Sequence, residues 1–397
     1  MTPQHQFDYA IVGGGLQGCL LAQAIACRQP AAAVLMVERA DDICGNHTWS
    51  FHETDVPEAA RDWLIPLAGH RWPGYRVRFP GFSRRVSIGY ATITAADLRA
   101  ATHGLTEAAG GQPGRRPLTL RTGESSAILS ATRLRLGDGT EIDSRVVIDC
   151  RGRAGSTSRQ GGAGFQSFSG REYRIAGRWP AAEPTVMDVP GDQAAGFEFL
   201  YELPLGPDRV LLEYTRFDEA AGCNEQRAER LIAARLAEAG VEPAELLRTE
   251  AGCLPMPYAA APQPAGTAPA GGYAGGWYHA ATGYSMPLAI RFADLVAGLP
   301  PEAIAKELAA TGAADGRRRM FARFLNRLLF CLVKPTDRWK IFRRFYRVLS
   351  DERIARFYGH RFTAGDAARI VIGRPPAGLA PLRFLRSYRS YPETVVT

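Results

Sequence analysis

Tyr9-Ala10-Ile11-Val12, then Gly13-Gly14-Gly15-Leu16-Gln17-Gly18, then an Ala/Leu-rich segment, then Val34-Leu35-Met36-Val37-Glu38: this order of parts within Phe7 to Glu38 decides the fold. The first run is apolar and short, as a buried strand requires, and the glycines stand where it turns into a helix. Gly13 permits the tight turn, Gly15 lets a pyrophosphate approach the backbone, and Gly18 lets helix pack on strand. Free N–H groups and the macrodipole at the helix N-terminus favour the phosphates. Glu38 falls about twenty residues past Gly18, where an acid accepts from a ribose hydroxyl. An acid there favours an unphosphorylated ribose, as in FAD or NAD. The glycine pattern alone is weak; strand, helix, strand and acid in register make it a dinucleotide site rather than a structural glycine turn.

At 397 residues the chain exceeds one ordinary core, which predicts two domains or one large α/β domain with insertions. Hydrophobic residues at 46% and charged residues at 22% are ordinary soluble usage, so disorder and collagen-like repeats are excluded. The net charge of +8 suits an anionic membrane surface or nucleic acid. That charge is concentrated: Arg317 to Arg361 carries 14 Lys or Arg against Asp337, Asp351 and Glu352. Seven cysteines are scattered without a CxxC pair or a Cys/His metal spacing. They read as buried thiols in a reducing cytoplasm, and no metal site is expected. Met1 to Gln6 is polar and leads straight into the nucleotide strand, so no signal peptide is expected. No apolar run reaches the ~18 residues of a spanning helix, so a membrane would be met from one side.

Along the chain, strand-like patterns run from Trp72 to Ile93 and over Leu118–Leu120, Ala127–Leu129 and Leu134–Leu136, with a short helix over Ala95–Ala101. The continuous apolar run Val146-Val147-Ile148 ending at Asp149 predicts another buried parallel strand. From Phe165 to Pro255 strands alternate with turns around an amphipathic helix near Glu225 to Ala239, which reads as an antiparallel substrate sheet inserted into the nucleotide domain. Trp277 to His279 is expected as a last short strand before a helix from Pro287. The resulting class is α/β: an FAD-binding Rossmann-like domain, an inserted antiparallel-sheet substrate domain and a helical C-terminal region. The boundaries expected are 1–70, 95–164 and 271–300 for the nucleotide domain, 71–94 and 165–270 for the substrate domain, and 301–397 for the helical region.

Two constellations carry chemistry. His47-Thr48-Trp49 follows the second nucleotide strand, from which it can face a ribose or an isoalloxazine; packing is the competing reading. Phe197 to Leu205 and Arg209 to Thr215 form a hairpin about Gly206-Pro207-Asp208. Alternation puts Phe197, Phe199 and Tyr201 on one face and lets Leu211, Glu213 and Thr215 share a face. In an apolar cavity the Glu213 pKa rises and the group holds a proton for donation. At a solvated strand edge it is an ordinary carboxylate.

These strings resemble the flavoprotein-type lycopene cyclases of bacteria over almost the full length. The matching residues are Asp8 to Gly18, Glu38, Gly45 to His52 (GNHTWSFH), Asp149-Cys150-Arg151-Gly152, Gln166 to Tyr173, Phe199 to Leu205, Leu212-Glu213-Tyr214-Thr215, Thr282 to Leu288 (TGYSMPL), Arg323 to Phe330 and Gly373 to Pro376. GNHTWSFH and TGYSMPL are specific. The resemblance implies the fold of FAD-dependent hydroxylases and geranylgeranyl reductases, with FAD held by Gly13, Gly15, Gly18, Glu38, His47, Thr48, Trp49, Asp149, Gly283, Tyr284 and Ser285. It implies a lycopene β-cyclase: an isomerisation without net redox change, with reduced FAD as the active cofactor, NAD(P)H as electron source and Glu213 as catalytic acid. Phe199, Tyr201 and Tyr214 are the expected substrate-pocket residues. Relatives commonly carry a second acid where this chain has Tyr214, and glycine where it has Cys44 and Cys150.

The run Arg338 to Arg361 interleaves Trp339, Phe342, Phe345, Tyr346, Phe357 and Tyr358 with basic residues. Either it is an interfacial helix whose aromatics enter lipid while Arg and Lys meet phosphates, or a packed helix with a solvated basic face. With the first, a cytoplasmic protein held on the inner face of the cell membrane is expected; no nucleic-acid module accompanies the charge. Competing functions are a flavin monooxygenase or reductase on another isoprenoid, and a flavin-bound carotenoid carrier without catalysis.

Overall fold

The computed structural model describes residues 6–107, 114–152, 162–258, 268–373 and Leu379. β1 (Phe7–Val12) passes through the glycines into the helix Leu16–Arg28 and returns as β2 (Val34–Val37). There follow β3 (Thr48–His52), β4 (His70–Trp72), β5 (Tyr75–Phe79), β6 (Phe82–Val86) and β7 (Tyr90–Thr94), then the helix Ala95–His103. β8 (Thr119–Arg121), β9 (Ser126–Ile128), β10 (Arg133–Leu136) and β11 (Glu141–Asp149) complete the first half. A six-stranded sheet runs β8-β2-β1-β11-β10-β9. Its first four strands are parallel, with Val12 level with both Val37 and Asp149, so the glycine turn, Glu38 and Asp149 emerge at the same edge. That carboxyl-end edge is where parallel sheets bind ligands.

The second half carries β12 (Ala163–Ala176), β13 (Thr185–Asp188), β14 (Phe197–Pro204), β15 (Arg209–Asp218), the helix Glu225–Ala239 and β16 (Glu242–Pro257). With β5 and β6 they make a seven-stranded sheet in the order β16-β12-β15-β14-β13-β5-β6, antiparallel except where β13 meets β5. The helix starts where the Asn224 side chain accepts from the Arg227 N–H and ends at Gly240, whose φ of +66° suits glycine. Its Ala228, Ile232 and Leu236 bury Leu200, Val210, Leu212 and Tyr214 on one face of the sheet. The alternate residues Phe197, Phe199, Leu203, Leu211 and Phe217 bury into a separate core on the other face. Two packed faces on one sheet are what period-2 alternation of apolar residues produces.

Two expectations are corrected, and one left open is narrowed. The 71–94 stretch divides: β5 and β6 join the large sheet, while β7, buried from Tyr90 to Ile93, pairs with β3 along one edge and β4 along the other in a small antiparallel sheet. Trp277 to His279 is not a strand; Trp277 is held by its indole, packed edge-on at 5.1 Å against Phe292 of the helix Met286–Ala297. In the C-terminal region, the helices Arg338–Val348 and Asp351–Tyr358 turn their aromatics inward. Phe342 stacks on Phe197 at 4.6 Å, and Tyr346 is fully buried with its hydroxyl 2.9 Å from that of Tyr358. The packed reading therefore holds for the aromatic residues of this run. No helix among the described residues is long and apolar enough to cross a membrane. Of the family strings, Arg374 to Pro376 lies outside the described residues.

Gly18 makes the tightest contact of the glycine loop: a Cβ there would lie 2.0 Å from the Gly13 carbonyl oxygen, whereas one on Gly15 would meet nothing within 4 Å. Gly18→Ala is therefore expected to lose about 2 kcal/mol of stability by overpacking backbone on backbone. Gly15→Ala should change stability by less than about 1 kcal/mol. Chemical denaturation of both variants checks the contrast.

Candidate active site

At the sheet edge the glycine loop is built for a phosphate-bearing group. Gly13 has φ +109° and packs its α-carbon against the Cys150 carbonyl, at a distance where a Cβ would clash at 2.8 Å. Over Gly15 there is open space, and among the described residues no side chain caps the helix Leu16–Arg28, so its first N–H groups are available on that side. Glu38 turns its carboxylate into the loop, accepting from the Gly14 N–H at 2.6 Å and the Ala40 N–H at 2.9 Å. Asp149 ends β11 in an ion pair with Arg151 at 2.7 Å. The late chain returns here: Ala270 bridges Asp149, and the Gln17 side chain accepts from the Gly272 N–H and donates to the Ala289 carbonyl. An open cradle, available N–H groups and a carboxylate beside them fit a dinucleotide.

From the loop the chain crosses to the large sheet. Cys44 donates its N–H to the Gly14 carbonyl at φ +67°, a conformation that strains a side chain and explains why glycine suits that place. Asn46 donates to the Thr249 carbonyl at 2.7 Å. His47, Thr48 and Trp49 then enter the wall of a cavity of about 430 Å³, within the range of small-molecule sites.

Three structures close this cavity. One wall is the inner face of the seven-stranded sheet, with Phe168, Phe199, Tyr201, Glu213, Thr215 and Phe217. Opposite it lie His47 to Ser50 with Tyr90, and the turn that carries Gly283, Tyr284 and Ser285. Phe342 and Tyr358 of the C-terminal helices cover the rest. Among the described residues, three polar atoms of this lining are buried without a hydrogen-bond partner: Nδ1 of His47, Nδ1 of His52 and the hydroxyl of Tyr284, of which His52 lies 3.4 Å from Asp55. Tyr201 donates to the Ser50 hydroxyl at 2.6 Å and lies 3.0 Å from the Tyr90 hydroxyl. Burial raises both phenols above their usual range, so they stay neutral.

Glu213 is the acid of this wall. It is partly exposed to the cavity, and its Oε1 accepts from the Thr215 hydroxyl at 2.9 Å. Loss of water by burial is the larger cause and the Glu250 carboxylate the next; together they push the Glu213 carboxyl up to about 8 against the pull of Thr215 and Arg248. Both causes favour the protonated carboxyl over the carboxylate.

The sequence-expected residues separate into two groups. His47, Thr48, Trp49, Phe199, Tyr201, Glu213, Gly283, Tyr284 and Ser285 meet in the cavity; Gly13, Gly15, Gly18, Glu38 and Asp149 form the glycine end. Tyr214 belongs to neither. It is buried on the opposite face of β15, under the helix Glu225–Ala239, and donates to Glu198 at 2.8 Å. Adjacent strand residues point apart, so a substitution at this place leaves the cavity wall unchanged. Ser50, Tyr90 and Glu250 were missed. The alternation that places Glu213 would have placed Glu250 in line with Gly252 and Leu254, but the pairing of β12 with β16 is not visible in the chain.

The family model described as lycopene cyclase protein matches residues 8–384. The lycopene beta-cyclase of Pantoea ananas is 36% identical over 385 residues, covering 94% of this chain and 96% of that protein. The lycopene beta-cyclase of Pseudescherichia vulneris is 34% identical over 382 residues, covering 94% and 95%. Among solved structures, a probable FAD-dependent monooxygenase from Pseudomonas aeruginosa shares the fold with a TM-score of 0.55 at 17% identity, over 90% of this chain and 99% of that one.

A carboxyl whose pKa is raised on folding stabilises the folded state fully below its unfolded value and loses that contribution as pH rises through the folded value. Thermal unfolding of the wild type should accordingly fall between about pH 4.5 and pH 8 by a component that Glu213→Gln lacks. Parallel melting curves across that range would reveal it; identical pH profiles would mean that Glu213 is ionised in the folded protein.

Proposed function

The chain belongs to the lycopene cyclase family, and on that premise we propose that it is a lycopene β-cyclase, converting the linear ends of lycopene to β-ionone rings by acid catalysis without net redox change. The observation that carries this reading is the place of the Glu213 carboxyl, in the wall of a largely aromatic cavity where burial and the nearby Glu250 raise its pKa. Glu213 transfers its proton to the terminal double bond of the polyene and leaves a tertiary carbocation. The neighbouring alkene closes a six-membered ring on that cation, and loss of a ring proton leaves the β-ionone double bond. One proton enters and one leaves, so the product is an isomer of the substrate.

The chain's own residues supply three things. The aromatic walls exclude water, which would otherwise trap the cation. The faces of Trp49 and Tyr201 offer negative π-density to it. The neutral Ser50–Tyr201–Tyr90 hydrogen bonds hold the Tyr201 ring in place. FAD fits the glycine end through Gly13, Gly15, Gly18, Glu38 and Asp149, and the cavity through His47, Thr48, Trp49, Gly283, Tyr284 and Ser285. In its reduced state, with NAD(P)H as electron source, it supplies an electron-rich surface that stabilises positive charge. The seven-stranded sheet serves as the carotenoid-binding unit and the six-stranded sheet as the nucleotide unit. Because lycopene dissolves in membranes, the protein works at a membrane surface, on the cytoplasmic side where NAD(P)H is available. Exposed Arg317, Lys334, Arg347 and Arg361 face anionic lipid.

Incubated anaerobically with lycopene liposomes and reduced FAD, the protein is expected to form β-carotene or its one-ring intermediate without stoichiometric flavin oxidation. Glu213→Gln should keep flavin bound and lose at least about a hundredfold in rate; undiminished activity would refute the acid role. Unchanged lycopene on flavin-loaded wild type would point instead to oxidation or reduction of another isoprenoid, or to carotenoid carriage. Gly15→Val, which fills the open cradle, should fold normally and fail to retain FAD, read by flavin absorbance after gel filtration.

A further inference from the structure

We propose that Glu250 is a positioning residue for the acid: a fixed anion, held across the bare backbone of Gly170, that keeps Glu213 protonated. β12 runs between β15 and β16, and its Gly170 is level with Glu213 on one side and with Glu250 on the other. Neighbouring strands lie about 4.8 Å apart, so a side chain at 170 would stand between the two carboxyl groups. Glycine leaves that gap open, and Glu250 leans into it. A Cβ on Gly170 would lie 3.0 Å from Glu250 Cγ and 3.4 Å from its Oε1.

The other oxygen of Glu250 is fixed from behind. Its Oε2 accepts from the Thr48 hydroxyl at 3.0 Å and from Arg248 at 2.7 Å, leaving Oε1 as the oxygen over Gly170. Arg248 in turn donates to Glu172 at 2.6 Å and to the Asn46 carbonyl at 2.7 Å, so it cannot swing toward Glu213. Glu172 is matched by Arg209 at the solvent-facing head of β15. The row, from the cavity to the solvent edge, thus reads carboxyl, carboxylate, guanidinium, carboxylate, guanidinium. Its charges balance when Glu213 alone is neutral. The other titratable groups facing the pair are Tyr201 of β14, Tyr90 of β7, His47 before β3, Cys253 of β16 and Cys223 beyond β15; the two phenols and Cys223 are held neutral by burial. Of the two acids, Glu250 has the cation and Glu213 has the apolar cavity, so the proton resides on Glu213. After Glu213 gives it to the substrate, two anions face each other, and the proton released at ring closure returns to the pair and restores the starting charge.

The kinetic consequence rests on the cyclase reading; the protonation of Glu213 does not, and the test separates them. Infrared titration of the flavin-loaded wild type should show a protonated carboxyl band that is absent in Glu213→Gln. In Glu250→Gln its midpoint should move down by at least one pH unit, while Glu250→Asp, which keeps the charge, should stay nearer the wild type. Cyclisation by Glu250→Gln should keep its rate at low pH and lose about tenfold on the alkaline side, where the protonated fraction falls tenfold per unit. If Glu250→Gln does not fold, Gly170→Ala, which displaces the Glu250 side chain, should lower the midpoint in the same direction. An unmoved midpoint in a folded variant, or a band that survives Glu213→Gln, would overturn the proposal. Absence of cyclisation by a wild type that shows the expected titration would overturn the cyclase reading alone.

Discussion

The register of β12 against its two neighbours is the constraint on which the site depends. A slip of one residue on β15 would exchange its faces, turning Tyr214 into the cavity and Glu213 under the helix Glu225–Ala239. The helix opposes that slip by burying Val210, Leu212 and Tyr214 against Ala228, Ile232 and Leu236. It also supplies Arg227 and Arg235, which pair with the buried acids Glu198 and Glu202 of β14. The Tyr214 hydroxyl completes the Glu198 site. Placing a carboxyl toward the cavity is therefore decided by apolar and ionic contacts on the far side of the sheet.

Buried ion pairs of this kind contribute little net stability, because desolvation offsets attraction. Breaking one is another matter: an orphaned charge costs roughly 3–5 kcal/mol. Glu172, Glu198 and Glu202 are each less than 3% exposed and each meets two basic or hydroxyl partners, so any register that separated them from Arg209, Arg248, Arg227 or Arg235 would strand several charges at once. Their value is specificity of pairing rather than strength. Glu213 differs from them in having a hydroxyl and a second carboxylate close by, with the nearest guanidinium engaged elsewhere. The same sheet that gives three acids guanidinium partners leaves the fourth facing a cavity and a second carboxyl group.

What could be read from the chain follows from how local each signal is. The nucleotide half was readable because strand, turn, helix and acid lie within Phe7 to Glu38, and the helix Glu225–Ala239 because Asn224 and Gly240 mark its ends. The faces of Phe199, Tyr201 and Glu213 followed from alternation within one hairpin. Tyr214 was misplaced where family position was carried over against that same alternation. Glu250 escaped because it meets Glu213 only through β12, more than forty residues upstream of Glu213, and no local pattern encodes which strands adjoin. Trp277 to His279 looked like a strand because it is a short aromatic run, yet Trp277 is buried by packing on the helix Met286–Ala297 and His279 against Phe357 and His360.

The basic-aromatic C-terminal run shows composition meeting packing. Read alone, it fits an interfacial helix; in the fold its rings cover the cavity, with Phe342 against Phe197 and Phe217, and Phe345 against Phe357 and Tyr358. The cavity needs them, since a protonated Glu213 depends on exclusion of water, and exposed solvent on that side would return the carboxyl toward its usual range. Arg338, fully buried, binds this cover to the sheet by donating to the Phe217 and Leu329 carbonyls. Aromatic rings committed to keeping the acid dry cannot also enter lipid. The apolar part of the run therefore packs inside the fold, and what it presents outward is charge, at residues such as Arg347 and Arg361, screened by salt over the Debye length.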